Sequence, residues 1–131
     1  MLIGRRKDRL ETLKSAIQKE FPSARVHTVP ISVTDYDAIA ALPKSLPVEF
    51  AVVDVIVNNA GLALGVSSVE KNSVEDALTV INTNVMGTIA VCSAFLPAMK
   101  ERGEGHLINM GSVAGHYAYA TGSGELICNV R

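Results

Sequence analysis

Cysteine is scarce in this sequence: Cys92 and Cys128 are the only two among 131 residues. Two thiols make no disulfide framework, and their wide separation matches no zinc-ligand spacing. Free thiols in a reducing compartment are expected, with the cytosol as the location. A surplus of one charge is missing too. Twelve Lys+Arg against thirteen Asp+Glu leave a formal net charge of −1. That balance argues against a nucleic-acid partner held by bulk charge and against a polybasic membrane anchor. No uninterrupted apolar run reaches the roughly eighteen residues of a membrane span, so no membrane partner is expected. The opening stretch, Met1-Leu2-Ile3-Gly4-Arg5-Arg6-Lys7, places apolar residues before basic ones, the reverse of a secretory signal. His27, His106 and His116 are scattered without ligand spacing, and no metal site is expected. Internal repeats and low-complexity segments are absent.

What is present is apolar surface to bury. Hydrophobic residues make up 48% and charged residues 19%, which suits one folded domain and excludes disorder as the main state. Met1 to Gly4 reads as the end of a strand. Leu10, Leu13, Ile17 and Phe21 recur at helical spacing over residues 8–21, with Asp8 and Glu11 in the first turn. Residues 25–31 are β-branched and predict a strand limited by Pro30. Residues 35–46 predict a weaker helix frayed by Pro43 and Pro47. The run Val52 to Val57, broken only by Asp54, predicts a strand covered on both faces, as in parallel sheets. Ser73 can cap a long helix to about Arg102, whose apolar stripe is Val74, Leu78, Ile81, Val85, Ile89, Cys92, Leu96 and Met99. Residues 106–110 predict a last strand. Strands alternating with helices at this spacing imply parallel strands joined by right-handed crossovers, an α/β fold.

In open α/β sheets, ligands lie beyond the carboxyl ends of the strands. Three such ends carry polar or glycine-rich tails: Gly4-Arg5-Arg6, Asn58-Asn59-Ala60-Gly61 and Gly111-Ser112. Parallel strands bring all three to one edge. Taken singly, each tail has an ordinary alternative. Arg5 and Arg6 clamp a phosphate or merely open a surface helix. Residues 58–61 approach a ligand with bare backbone or form a tight turn. Ser112 donates to a reacting oxygen or caps a turn. Asn84, in the middle of a helix, faces solvent or needs a polar partner inside.

Asn58-Asn59-Ala60-Gly61, Asn84-Val85-Met86-Gly87 and Gly111-Ser112-Val113-Ala114-Gly115 resemble, in order and spacing, three motifs of the short-chain dehydrogenase/reductase family. Gly4-Arg5-Arg6, Glu20-Phe21-Pro22, residues 46–50 and residues 59–65 resemble its NADP-dependent serine and 3-hydroxy acid dehydrogenase branch. The resemblance implies a partial Rossmann-type, doubly wound parallel sheet over residues 1–123, with 124–131 as a tail unlike the family. It implies an oxidoreductase that exchanges hydride between NADP and a hydroxy acid or carbonyl substrate. Relatives of full length are expected to be homo-oligomers. Arg5 and Arg6 would take the 2′-phosphate of NADP, because a planar guanidinium matches phosphate bidentately where an NAD enzyme places a carboxylate. Val33 would lie against the adenine by its backbone, following Ser32 where the family usually has aspartate. Asn58 and Ala60 would border the nicotinamide-side ribose, Asn84 would hold a proton-relay water through its backbone, and Ser112 would orient the substrate oxygen.

Two departures stand out. The family's first strand and glycine-rich turn have no counterpart before Met1, so either two strand edges face a gap or the sheet pairs anew. The family's catalytic tyrosine and lysine would fall on Glu125 and Asn129, with Tyr117 and Tyr119 too early. Proton transfer must match hydride transfer, so the isolated chain is expected to be inactive. The alternative is a non-catalytic form that associates with intact relatives through the helix over 73–102.

Overall fold

The computed structural model describes residues 1–64 and 69–113. Eight main elements follow in order: β1 (Leu2–Ile3), α1 (Lys7–Glu20), β2 (Thr28–Val29), α2 (Tyr36–Ser45), β3 (Val55–Asn58), α3 (Val74–Ile81), α4 (Gly87–Arg102) and β4 (His106–Asn109). The alternation of strand and helix is the expected one, and both strand pairings are parallel.

Local chemistry sets the helix ends. Asp35 caps α2, its carboxylate accepting from the Ala38 N–H at 3.1 Å. Ser73 caps α3 as expected, its hydroxyl accepting from the Asp76 N–H at 2.9 Å. Gly103 ends α4 in the left-handed conformation, φ 73°, which glycine adopts without steric cost. Pro43, expected to fray α2, lies inside it. One lost N–H in the last turn is tolerated there, and the Ser45 hydroxyl donates to the Leu42 carbonyl at 3.0 Å. The strand expected over 25–31 shrinks to Thr28–Val29. Pro30 has no N–H to give, and the Ile31 N–H folds back to Val29 O at 3.0 Å.

The strands form two separate pairs. Leu2 faces Thr28 and Ile3 faces Val29 in one; Val55 faces His106 and Asn58 faces Asn109 in the other. Of the two outcomes expected from the absent first strand, the described residues show the gap: β1 and β3 do not pair. Packing joins the halves instead. Ile39 and Leu42 of α2 meet Ile56 of β3 and Val91, Phe95 and Met99 of α4 in one buried cluster, with Ile3 and Val29 against it. Burying a side chain such as Ile39 completely contributes roughly 1.5–3 kcal/mol.

Two sequence expectations fail in this region. The run around β3 is covered on one face only: Ile56 is buried, whereas Val55 and Val57 are each 56% exposed. The long helix is also not one stripe. A π-turn at Asn82–Met86 separates α3 from α4, and Met99 alone of the expected stripe is buried. The core takes another face of α4, Gly87, Val91, Phe95 and Met99, at steps of four. The helix is apolar on two sides, and the periodic signal selected the side that borders an open groove. Within Val74–Arg102, 29 residues long, one 18-residue window has a mean hydropathy of 1.4, apolar enough by length and composition alone to cross a membrane. Val80 and the steps-of-four face of α4 are buried within this fold.

Candidate functional site

The exits of all four strands open on one rim. Gly4 and Arg5 after β1, Ser32 to Thr34 after β2, and Ala60 to Leu62 after β3 line a cavity of about 350 Å³. Asn58 to Ala63, Asn84, and Met110 to Ser112 after β4 line a second of about 450 Å³. Ala60, Gly61 and Leu62 are common to both. They form a strap between two adjoining spaces, and the convergence expected of the three tails is present.

The strap is held by Asn84. Its Nδ2 donates to Leu62 O at 2.9 Å, while its Oδ1 accepts from the Leu62 N–H at 3.0 Å. The amide thus pairs with both backbone groups of one residue, as a neighbouring strand would. Asn84 sits in the π-turn, and its carbonyl accepts from the Thr88 hydroxyl at 2.8 Å. Single-turn π insertions inside α-helices are frequent at functional sites. The inward-facing possibility for Asn84 is therefore the correct one, with a backbone as the polar partner.

Asn58, at the end of β3, donates from Nδ2 to Asn109 Oδ1 at 2.9 Å and lies 3.5 Å from Cys92 Sγ. Residues 58–61 make no turn through left-handed backbone: among the described residues, positive φ occurs only at Gly103 and Gly105. Ala60 is exposed on the strap. Arg5 and Arg6 are exposed after β1, and among the described residues neither has a carboxylate partner. Arg5 lines the smaller cavity. Arg6 stands at the N-cap of α1, its carbonyl accepting from the Leu10 N–H at 3.1 Å. Val33 is half-buried, and Ser32 and Thr34 share a hydroxyl–hydroxyl bond of 2.8 Å beside it. Ser112 is half-buried on the wall of the larger cavity.

Gly87 escaped the sequence reasoning as a site-building residue. A Cβ there would stand 2.7 Å from Val33 Cγ2 and 3.1 Å from Val33 Cβ. Only glycine lets the start of α4 reach the loop after β2, and this approach presses Val33 toward the rim. The fourth position of Asn84-Val85-Met86-Gly87 carried that signal. Leu62 and Asn109 were missed because their roles come from pairing in space.

A family model described as short chain dehydrogenase matches residues 1–124. The chain belongs to the short-chain dehydrogenase family. Among curated relatives, the NADP-dependent 3-hydroxy acid dehydrogenase YdfG of Escherichia coli strain K12 is 42% identical over 120 residues, covering 92% of this chain and 46% of the relative. The NADP-dependent 3-hydroxy acid dehydrogenase of Schizosaccharomyces pombe is 37% identical over 123 residues, 94% of this chain and 47% of its own. Among solved structures, serine dehydrogenase from Escherichia coli matches with a TM-score of 0.86 and 40% identity over 97% of this chain and 56% of that one. Its closed form complexed with NADP+ gives 0.86 and 39%, over 97% and 49%. The chain therefore has a Rossmann-type α/β fold, and it spans about half the length of the curated relatives it matches. The positions where the family's tyrosine and lysine would fall, and the tail over 124–131, lie outside the described residues.

Proposed function

We propose that the rim is the dinucleotide and substrate site of an NADP-dependent oxidoreductase acting on the CH–OH of a 3-hydroxy acid, or on the matching carbonyl. One observation carries the reading. Arg5, with no carboxylate partner among the described residues, shares a cavity with Ser32 to Thr34, and the strap Ala60 to Leu62 borders both that cavity and the one lined by Asn84 and Ser112. A planar guanidinium beside two hydroxyls suits a ribose 2′-phosphate, which is dianionic and accepts several hydrogen bonds.

In this reading Arg5 and Arg6 hold the 2′-phosphate, and the backbone of Val33 lies along the adenine. Asn58 and Ala60 border the ribose nearer the reacting end. Bound NADP supplies the hydride acceptor. The Ser112 hydroxyl donates to the substrate oxygen, and the Asn84 main chain holds the water through which a proton passes. Residues 1–123 carry these groups, and residues 124–131 take no part. Glu125 and Asn129 stand in the sequence where the family's tyrosine and lysine would fall, and in this reading the 131-residue chain binds without turnover. The relatives' names, NADP-dependent 3-hydroxy acid dehydrogenase, support the substrate class.

The test is binding of adenosine 2′,5′-bisphosphate against adenosine 5′-monophosphate by titration calorimetry. Preference for the bisphosphate supports the reading, and equal affinity overturns it. NADPH absorbance with serine or other 3-hydroxy acids tests the absence of turnover, which any rate above background refutes. A second reading has one observation in its favour. Ile89, Cys92 and Leu96 of α4 border an open groove of about 940 Å³, a surface through which a non-catalytic form would associate with an intact relative. Co-purification with such a relative tests it, and recovery of free chain alone counts against it.

A further inference from the structure

Tyr36 opens α2, and its side chain reaches across to the π-turn. Its hydroxyl donates to Asn82 O at 3.4 Å, 46 residues away in sequence. The same carbonyl accepts from the Gly87 N–H, the i+5 bond that defines the turn. A carbonyl oxygen has two lone pairs, so both bonds coexist. Asn82 and Gly87 are thus the two ends of one π hydrogen bond, and the segment after β2 reaches both. Val33 packs against Gly87, and Tyr36 holds Asn82 O. That segment is itself pinned. The Asp35 N–H donates to Ser32 O at 3.1 Å, and the Asp35 carboxylate accepts from the Ala38 N–H at 3.1 Å.

The register of the turn decides where Asn84 points. In an α register the Met86 N–H would bond Asn82 O in place of the Gly87 N–H, and one residue along a helix is a rotation of about 100°. A slip of that kind would carry the Asn84 amide away from Leu62. We infer that Tyr36 is a positioning residue: its hydroxyl keeps the π-turn in the register from which Asn84 holds the strap. Contacts then run from the segment Ser32 to Tyr36, across to Asn82, and through Asn84 to Leu62. They join the smaller cavity, which Ser32 and Asn82 line, to the larger one, which Asn84 and Ser112 line. That the strap serves a dinucleotide site rests on the reading above. The positioning is measured on the ligand-free chain, so the two fail on different measurements.

The test is Tyr36→Phe in the whole chain, which deletes the hydroxyl and keeps the ring. Tyr36 is 38% exposed, so water competes for its bond and the effect is modest. Amide hydrogen exchange should quicken roughly threefold at Leu62, whose N–H is held by Asn84 Oδ1, and at Gly87. Gly4 and Met110, whose N–H groups bond within the two strand pairs, should exchange as before. The carbonyl carbon of Asn82, followed by carbon-13 NMR, should move upfield on losing a donor, a change that ring packing alone does not cause. Unchanged exchange at Leu62 and Gly87 overturns the proposal. Equal quickening at Gly4 and Met110 also overturns it, since the hydroxyl would then support the fold in general. An unmoved Asn82 carbonyl resonance overturns it as well, because the hydroxyl would then bond elsewhere.

Discussion

The side-chain amide of Asn84 closes a two-bond ring with the backbone of Leu62, donating to its carbonyl at 2.9 Å and accepting from its N–H at 3.0 Å. The strap between the two cavities is thereby fixed from a helix turn, 22 residues away in sequence. Removing this amide leaves two part-buried backbone groups unpaired. Asn84→Ala is expected to destabilise the chain by about 1–3 kcal/mol. A urea or thermal melt measures the loss, and faster hydrogen exchange at Leu62 locates it. Unchanged exchange at Leu62 would show that the ring does not hold the strap.

Gly87→Ala should destabilise through collision with Val33, whose β-branched side chain has little freedom to turn away. Overpacking of this kind costs about 1–3 kcal/mol. Val33→Ala in the same chain should restore part of the loss, and a double-mutant cycle of melts reads the coupling. Additive losses would rule out the contact as the cause.

Arg5→Glu is expected to abolish any preference for a 2′-phosphate. Charge-assisted bonds contribute about 1.5–3 kcal/mol, so affinity for adenosine 2′,5′-bisphosphate should fall roughly ten- to a hundredfold. Adenosine 5′-monophosphate should bind as before. A comparable loss for both ligands would place Arg5 outside the phosphate contact.

Phe95→Ala removes the largest side chain from a small core cluster shared by α2, β3 and α4. Truncations of this type cost about 3–5 kcal/mol. The loss falls in the cluster that joins the two strand pairs, so cooperative melting should disappear. A retained sharp transition would show that the halves are joined more strongly than by this cluster.

Element order and parallel pairing were legible in the sequence because alternation of apolar segments carries them. The convergence of Arg5, Asn58 and Ser112 on one rim followed from parallel direction alone. Three features were not legible. The buried face of α4 was hidden because Ile89, Cys92 and Leu96 repeat at helical spacing as well as Val91, Phe95 and Met99 do. The exposure of Val55 and Val57 was hidden because a β-branched run reads alike whether one face or both are covered. The Asn84–Leu62 ring depends on a π-turn, a local change in hydrogen-bond register with no compositional mark. Gly87 was visible as a letter in a motif, but its reason, contact with Val33, exists only in three dimensions.

Helix α4 is anchored at both extremities. Gly87 seats it against Val33 at the rim, and at the far end Arg102 Nη2 donates to Val53 O at 2.9 Å and to Asp54 at 3.3 Å. Its 16 residues act as a tie rod of set length, about 24 Å. Inserting or deleting one residue within it would rotate one anchor past the other by about 100°, so its length is under tighter constraint than its composition.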